Sequence, residues 1–130
     1  MRSTLTQLYV HVVWATWDRV PLIDARMESV IYPAILNEAR SLKADVLAIG
    51  GIEDHVHILA RIPASISVSE FVRHTKAASS LLCGKAFRWQ GAYGAFSVSR
   101  SHVARVNSYV QRQREHHANG TLYKSLELDS

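Results

Sequence analysis

The run from His55 to Ile62 constrains this chain most, because Val56, Ile58, Ala60 and Ile62 place an apolar residue at every second position. A period of two is that of a β-strand, whose successive side chains point to opposite faces. One face is therefore built for burial. The other carries His55 and His57, aimed the same way from adjacent same-face positions. Helices are expected to cover the apolar face and to leave the histidine face of the sheet open. Two imidazoles on an open strand face form a platform able to hold a metal ion.

The neighbouring segments supply the rest of a sheet. Residues 8–17 are rich in Val, Tyr and Trp and read as a first strand, with a turn at 18–21. Asp24 is placed to cap a helix in which Met27, Ile31, Ile35, Leu36 and Ala39 recur at helical spacing, ending near Lys43. Pro33 predicts a kink or break there. Residues 45–49 form a second strand, Gly50-Gly51 reads as a turn, and the short connection predicts an antiparallel hairpin with the histidine strand. Ser67 and Glu70 have the spacing of a capping box, and Val68, Phe71, Val72, Thr75, Ala78, Leu81 and Leu82 form the apolar stripe behind it.

A loop containing Trp89, Gly91, Tyr93 and Gly94 then leads to a short strand at 95–98. Ser99 or Ser101 is placed to cap a last helix that runs to about Ala118 and stops at Asn119-Gly120. The order β-α-β-β-α-β predicts an α+β, ferredoxin-like antiparallel sheet, with helices on one face and one additional C-terminal helix.

A chain of 130 residues, 48% hydrophobic and 20% charged, is expected to form a single domain over residues 1–130. No apolar run approaches the roughly 20 residues that span a bilayer, and the N-terminus lacks the order of a secretion signal. A cytoplasmic protein without a membrane partner is the expectation. Cys83 falls in an apolar helical stretch and reads as a small core side chain rather than a nucleophile. Residues 1–60 hold five basic and seven acidic side chains, a balance of −2, whereas residues 61–130 hold ten and four, a balance of +6. That asymmetry fits a polyanionic partner, and equally a solvated basic surface.

The last helix carries a second constellation. Tyr109 and Gln113 stand four residues apart and share a face, with His102, Val106 and His116 close to the same stripe. A helix following the fourth strand of this fold can cross the open sheet face, or reach that of a second subunit, and bring Tyr109 to the histidines. Zinc suits imidazole ligands, yet no Cys or third His lies at a convenient local spacing. If Gln113 supplies an amide oxygen, the donor set becomes two nitrogens and one oxygen, which suits Mg²⁺ or Mn²⁺ gripping a phosphate. Asp54 reads as a turn or supporting residue.

These residues carry a family resemblance. The run Asp54-His55-Val56-His57-Ile58-Leu59, then Trp89-Gln90 with Tyr93 and Phe96-Ser97-Val98-Ser99, then Tyr109 to His117, resembles the single-tyrosine HUH transposases of small bacterial insertion sequences, with the REP-associated tyrosine transposases among their relatives. His11-Val12-Val13-Trp14 resembles that family's first strand, and the likeness runs in order along nearly the whole chain.

The resemblance implies that His55 and His57 are paired metal ligands, Gln113 the third ligand and Tyr109 the nucleophile. It implies cleavage of single-stranded DNA at the ends of the element through a 5′-phosphotyrosine link, release of a 3′-hydroxyl, and rejoining without ATP. It further implies recognition of hairpins formed by those ends, and homodimers in which the tyrosine helix of one subunit completes the histidine site of the other. A cis-docked tyrosine in a monomer is geometrically conceivable as well. A divalent cation on the phosphate oxygens offsets developing charge, and the tyrosine serves as covalent carrier. His102, His116, His117 or water are the candidates for taking its proton.

Arg73, Lys76, Lys85, Arg88, Arg100, Arg105 and Arg112 are candidate phosphate contacts, and Trp89 or Tyr93 could stack on an unpaired base, Trp89 fitting a core anchor better. Tyr93 and Tyr123 are rival nucleophiles that lack a glutamine four residues on. Two other function classes fit the same residues: a non-catalytic ferredoxin-like nucleic-acid-binding protein with structural histidines, and a zinc enzyme without tyrosine chemistry.

Overall fold

Four antiparallel strands make one sheet in a computed structural model that describes residues 4–120 and Glu127. The strands are β1 (Leu8–Ala15), β2 (Asp45–Ile52), β3 (His55–Ile62) and β4 (Gly94–Val98), in the order β2-β3-β1-β4. Helices α1 (Ala25–Ser41) and α2 (Val68–Leu81) pack on one face. This is the ferredoxin-like α+β arrangement that the element order predicts.

The core lies between those helices and the inward residues of the strands: Val10, Val12 and Trp14 from β1, and Val56, Ile58, Ala60 and Ile62 from β3. Helix α1 begins where Asp24 Oδ1 accepts from Met27 N–H at 2.8 Å, and α2 begins on the Ser67–Glu70 capping box. Pro33 does not end α1. Pro33 and Ser29, whose carbonyl would have paired with the missing N–H, both lie on the exposed side, where solvent can satisfy that carbonyl.

Three local expectations need correction. Gly50 and Gly51 lie inside β2, and the hairpin turns at Glu53-Asp54 instead. Neither Ser99 nor Ser101 caps the last helix. Ser99 starts a short 3-10 turn over Arg100–His102 without capping it by its side chain, and His102 precedes α3 (Val103–Gln111). That helix is also not continuous to Ala118: Arg112, at φ −107° and ψ 32°, separates α3 from α4 (Gln113–Asn119). The stop at Asn119-Gly120 is as expected, with Gly120 in the left-handed region at φ 67°.

The histidine face of the sheet is not open. Helix α3 covers it through a second, smaller apolar cluster of Ala48, Leu59, Val106 and Val110. A register shift between Val46 and Ala48 turns Ala48 and Gly50 toward this face, and Gly50 pairs with His57. A Cβ on Gly50 would lie 2.1 Å from the Val110 carbonyl oxygen, so only glycine lets α3 settle this close. Gly50→Ala is expected to cost about 1–3 kcal/mol through overpacking, lowering Tm by roughly 5–15 °C. An unchanged melting curve would show that α3 does not sit on β2 in this way.

Candidate active site

The pleat of β3 turns His55 and His57 toward α3, and the neighbouring strands set what stands beside them. Val13 and Ala15 of β1 pair with His57 and His55, and two residues before Val13, on the same face, comes His11. His11 Nε2 lies 2.8 Å from His57 Nδ1, and the two rings stack with centroids 5.0 Å apart. Asp54 Oδ1, at the hairpin turn, lies 2.7 Å from His55 Nδ1. Each histidine thus has its Nδ1 held from behind. Each Nε2 is turned into a common space, where Glu127 Oε1 lies 3.0 Å from His57 and 3.6 Å from His55.

Helices α3 and α4 bring the second constellation to the same space. Tyr109 is buried, its ring 6.0 Å from that of His57, and its hydroxyl donates to Glu127 Oε2. The His116 ring packs 4.7 Å from the Tyr109 ring, and His117 Nε2 lies 3.1 Å from His55 Nε2. Gln113 is buried too. Its Nε2 donates to the Tyr109 carbonyl at 3.0 Å, while its Oε1 has no hydrogen-bond partner among the described residues. Arg114 pairs with both Glu28 and Glu53, tying α4 to α1 and to the hairpin. All of this assembles within one chain.

Burial sets the charge of the cluster. It holds His57 below its ordinary pKa, outweighing the pull of the Glu127 carboxylate, and the pKa of His117 is lowered by burial first and by the neighbouring His55 ring second. His11 is pushed down to about 3, by burial first and by His57 second. Burial works to raise Glu127, but hydrogen bonds from His57 and Tyr109 and the adjacent imidazoles outweigh it and leave the carboxyl lowered. His11 and His57 are accordingly neutral rings beside an ionised carboxylate. The imidazoles of His55 and His57 and the carboxylate of Glu127, with ligand atoms within 4.8 Å of one another, suit a divalent cation.

The sequence-predicted residues therefore divide. His55, His57 and Tyr109 come together around Glu127, with Gln113 against the Tyr109 backbone. Asp54 supports His55, as expected of it. The basic residues do not form one surface: Arg73 and Lys76 lie on α2, on the far side of the sheet from Arg105 on α3 and from Arg112 at the break. Arg100 lies in the turn before α3, and Lys85 and Arg88 in the loop after α2. Lys76 is engaged with the Gln90 carbonyl.

Trp89 is a core anchor, edge-on to Trp14 and Phe87 and bonded through Nε1 to Ser79 Oγ at 3.0 Å. The exposed aromatic beside the hairpin turn is Trp17, over which the Arg88 guanidinium stands at 4.1 Å. His11, Glu127 and Trp17 were not singled out by sequence reasoning. Period-two counting back from Val13 would have found the face of His11, whereas no local spacing links Glu127 to the site.

Among the described residues no helix is long and apolar enough to cross a membrane. A search of curated proteins gives no match to the chain. Several solved structures share the fold, among them the following two. One is a Deinococcus radiodurans R1 protein assigned as a transposase, 21% identical, covering 87% of this chain and 95% of its own, with a TM-score of 0.70. The other is a REP-associated tyrosine transposase bound to a REP hairpin, 14% identical, covering 94% of this chain and 74% of its own, with a TM-score of 0.71. The family model described as Transposase IS200 like matches residues 4–113, from before β1 through Gln113, and the chain belongs to that family of transposases.

Proposed function

We propose that the protein cuts and rejoins single-stranded DNA at the ends of an insertion sequence, with Tyr109 as nucleophile and His55, His57 and Gln113 as ligands of a divalent cation, Mg²⁺ or Mn²⁺. The observation that carries this reading is the meeting of the Tyr109 hydroxyl and the His57 imidazole on one carboxylate, Glu127. A nucleophile and a cation-binding pair within reach of one anionic group suit attack on a phosphodiester. The neighbour solved with a REP hairpin supports a hairpin-bearing strand as substrate.

A bound cation would supply charge neutralisation at the phosphate oxygens. The chain's own residues do the rest. Asp54 and His11 keep the two imidazoles turned with Nε2 toward the phosphate, and α3 excludes water from the buried phenol. The Tyr109 hydroxyl passes its proton to Glu127 Oε2, the acceptor it already donates to. Its oxygen then bonds to phosphorus as the bond to the 3′-oxygen breaks, and the proton leaves on that oxygen as a free 3′-hydroxyl. The phosphotyrosine retains the bond energy for rejoining, in which a 3′-hydroxyl attacks it by the reverse path.

The test is a single-stranded oligonucleotide with a hairpin, incubated with the protein and Mg²⁺ or Mn²⁺ and resolved under denaturing conditions. A protein–DNA adduct is expected, and its absence across a panel of hairpin ends taken from insertion sequences of this family would sink the reading. Trp17, with Arg88 over its ring, is the proposed platform for an unpaired base beside the cut. Trp17→Ala is expected to weaken binding of the oligonucleotide about tenfold or more, since base stacking on an aromatic contributes about 1–3 kcal/mol. Trp14 and Trp89 are buried, so quenching of indole fluorescence on binding should vanish in the same variant. Unchanged affinity and quenching would move the base elsewhere.

A further inference from the structure

We infer that His11 is a positioning residue whose ring accepts the Nδ1–H of His57 and so turns the His57 Nε2 lone pair toward the cation. This inference rests on the metal-assisted reading above. His11 is fully buried in mid-strand, its Nε2 lies 2.8 Å from His57 Nδ1, and the stacked rings are inclined by only 21°. The pair is enclosed: Phe96 on β4 packs 5.7 Å from the His11 ring, and Val13 and Gly50 flank His57 on the neighbouring strands.

The chemistry of imidazole then fixes the roles. A neutral ring has one N–H and one lone pair, and a ring that binds a cation through Nε2 must carry its proton on Nδ1. A cation on Nε2 takes the place of the proton that His57 otherwise donates to Glu127, so the His57 proton then sits on Nδ1 and needs an acceptor in a place where an unmade hydrogen bond is costly. The nitrogen in reach is His11 Nε2, which accepts only with the His11 proton on its own Nδ1. His11 Nδ1 is itself buried, with no partner among the described residues. His55 is served by Asp54 at the corresponding nitrogen. The two ligands thus have unlike supports, a half-exposed carboxylate for one and a buried neutral ring for the other. Partners of this kind typically account for 10- to 100-fold in metal affinity.

The decisive experiment is calorimetric titration of the full chain with Mn²⁺ and Zn²⁺, comparing wild type with His11→Phe, which keeps the ring and its packing, and His11→Asn, which keeps an acceptor. Wild type is expected to bind, His11→Phe to bind about 10- to 100-fold more weakly, and His11→Asn to recover most of the loss. Equal affinity in wild type and His11→Phe, or loss in His11→Asn equal to that in His11→Phe, overturns the role of His11 and leaves the metal reading intact. A wild-type protein that binds neither ion overturns the metal reading itself. Nitrogen-15 spectra of the wild-type protein with Zn²⁺ give a measurement independent of any variant's folding: His57 is expected to be protonated at Nδ1 with the metal on Nε2. The reverse assignment overturns the inference.

Discussion

Tyr109→Phe is expected to leave no covalent protein–DNA adduct and to reduce strand cleavage by roughly four orders of magnitude or more, the scale at which removal of a covalent nucleophile is felt. The substitution removes one oxygen and keeps the buried ring against His57 and His116. Its structural cost is chiefly the hydrogen bond to the Glu127 carboxylate, about 1.5–3 kcal/mol, and a cooperative melting transition retained at a somewhat lower Tm separates lost chemistry from lost fold. An adduct that persists would place the nucleophile elsewhere. Tyr93, exposed in the loop before β4, is then the alternative, while Tyr123 lies outside the described residues.

His57→Ala is expected to lower cleavage by about a hundredfold or more, and EDTA to do the same to the wild-type protein, with Mn²⁺ restoring only the latter. Because His57 is completely buried and touches His11, Glu127 and Tyr109, the variant also loses packing, which is why the chelator experiment on unaltered protein carries equal weight. Adduct formation that survives EDTA would end the metal role. The two inactive variants can also be mixed. The seating of α3 on its own sheet supports a site completed within one chain, so the mixture should stay inactive. Recovery of adduct would instead show that two copies exchange this helix, the arrangement the family resemblance implies.

What the sequence made legible was whatever depends on local period. The alternation through His55–Ile62, the Ser67–Glu70 box and the stop at Gly120 each rest on rules that act within a few residues, and each holds. Gly50-Gly51 misled because two glycines are the usual turn signal, whereas here one of them answers to a helix some 60 residues later in the chain. The break at Arg112 is similarly invisible to helical counting, since Tyr109 and Gln113 keep their spacing across it. His11 and Glu127 show the limit most plainly: one is joined to His57 only by the β1–β3 register, the other only by tertiary folding.

The missing methyl at Gly50 governs more than fit. With the Val110 backbone resting on bare strand, the gap between helix and sheet is set by main-chain atoms, which neither swing nor compress as side chains do. Tyr109 is the residue immediately before that contact, and His57 is the cross-strand partner of Gly50. The spacing between the Tyr109 backbone and the strand that bears the imidazoles is thus a gauge machined into the main chain. Chemistry that tolerates little misplacement is held to tolerance by the one side chain that is not there.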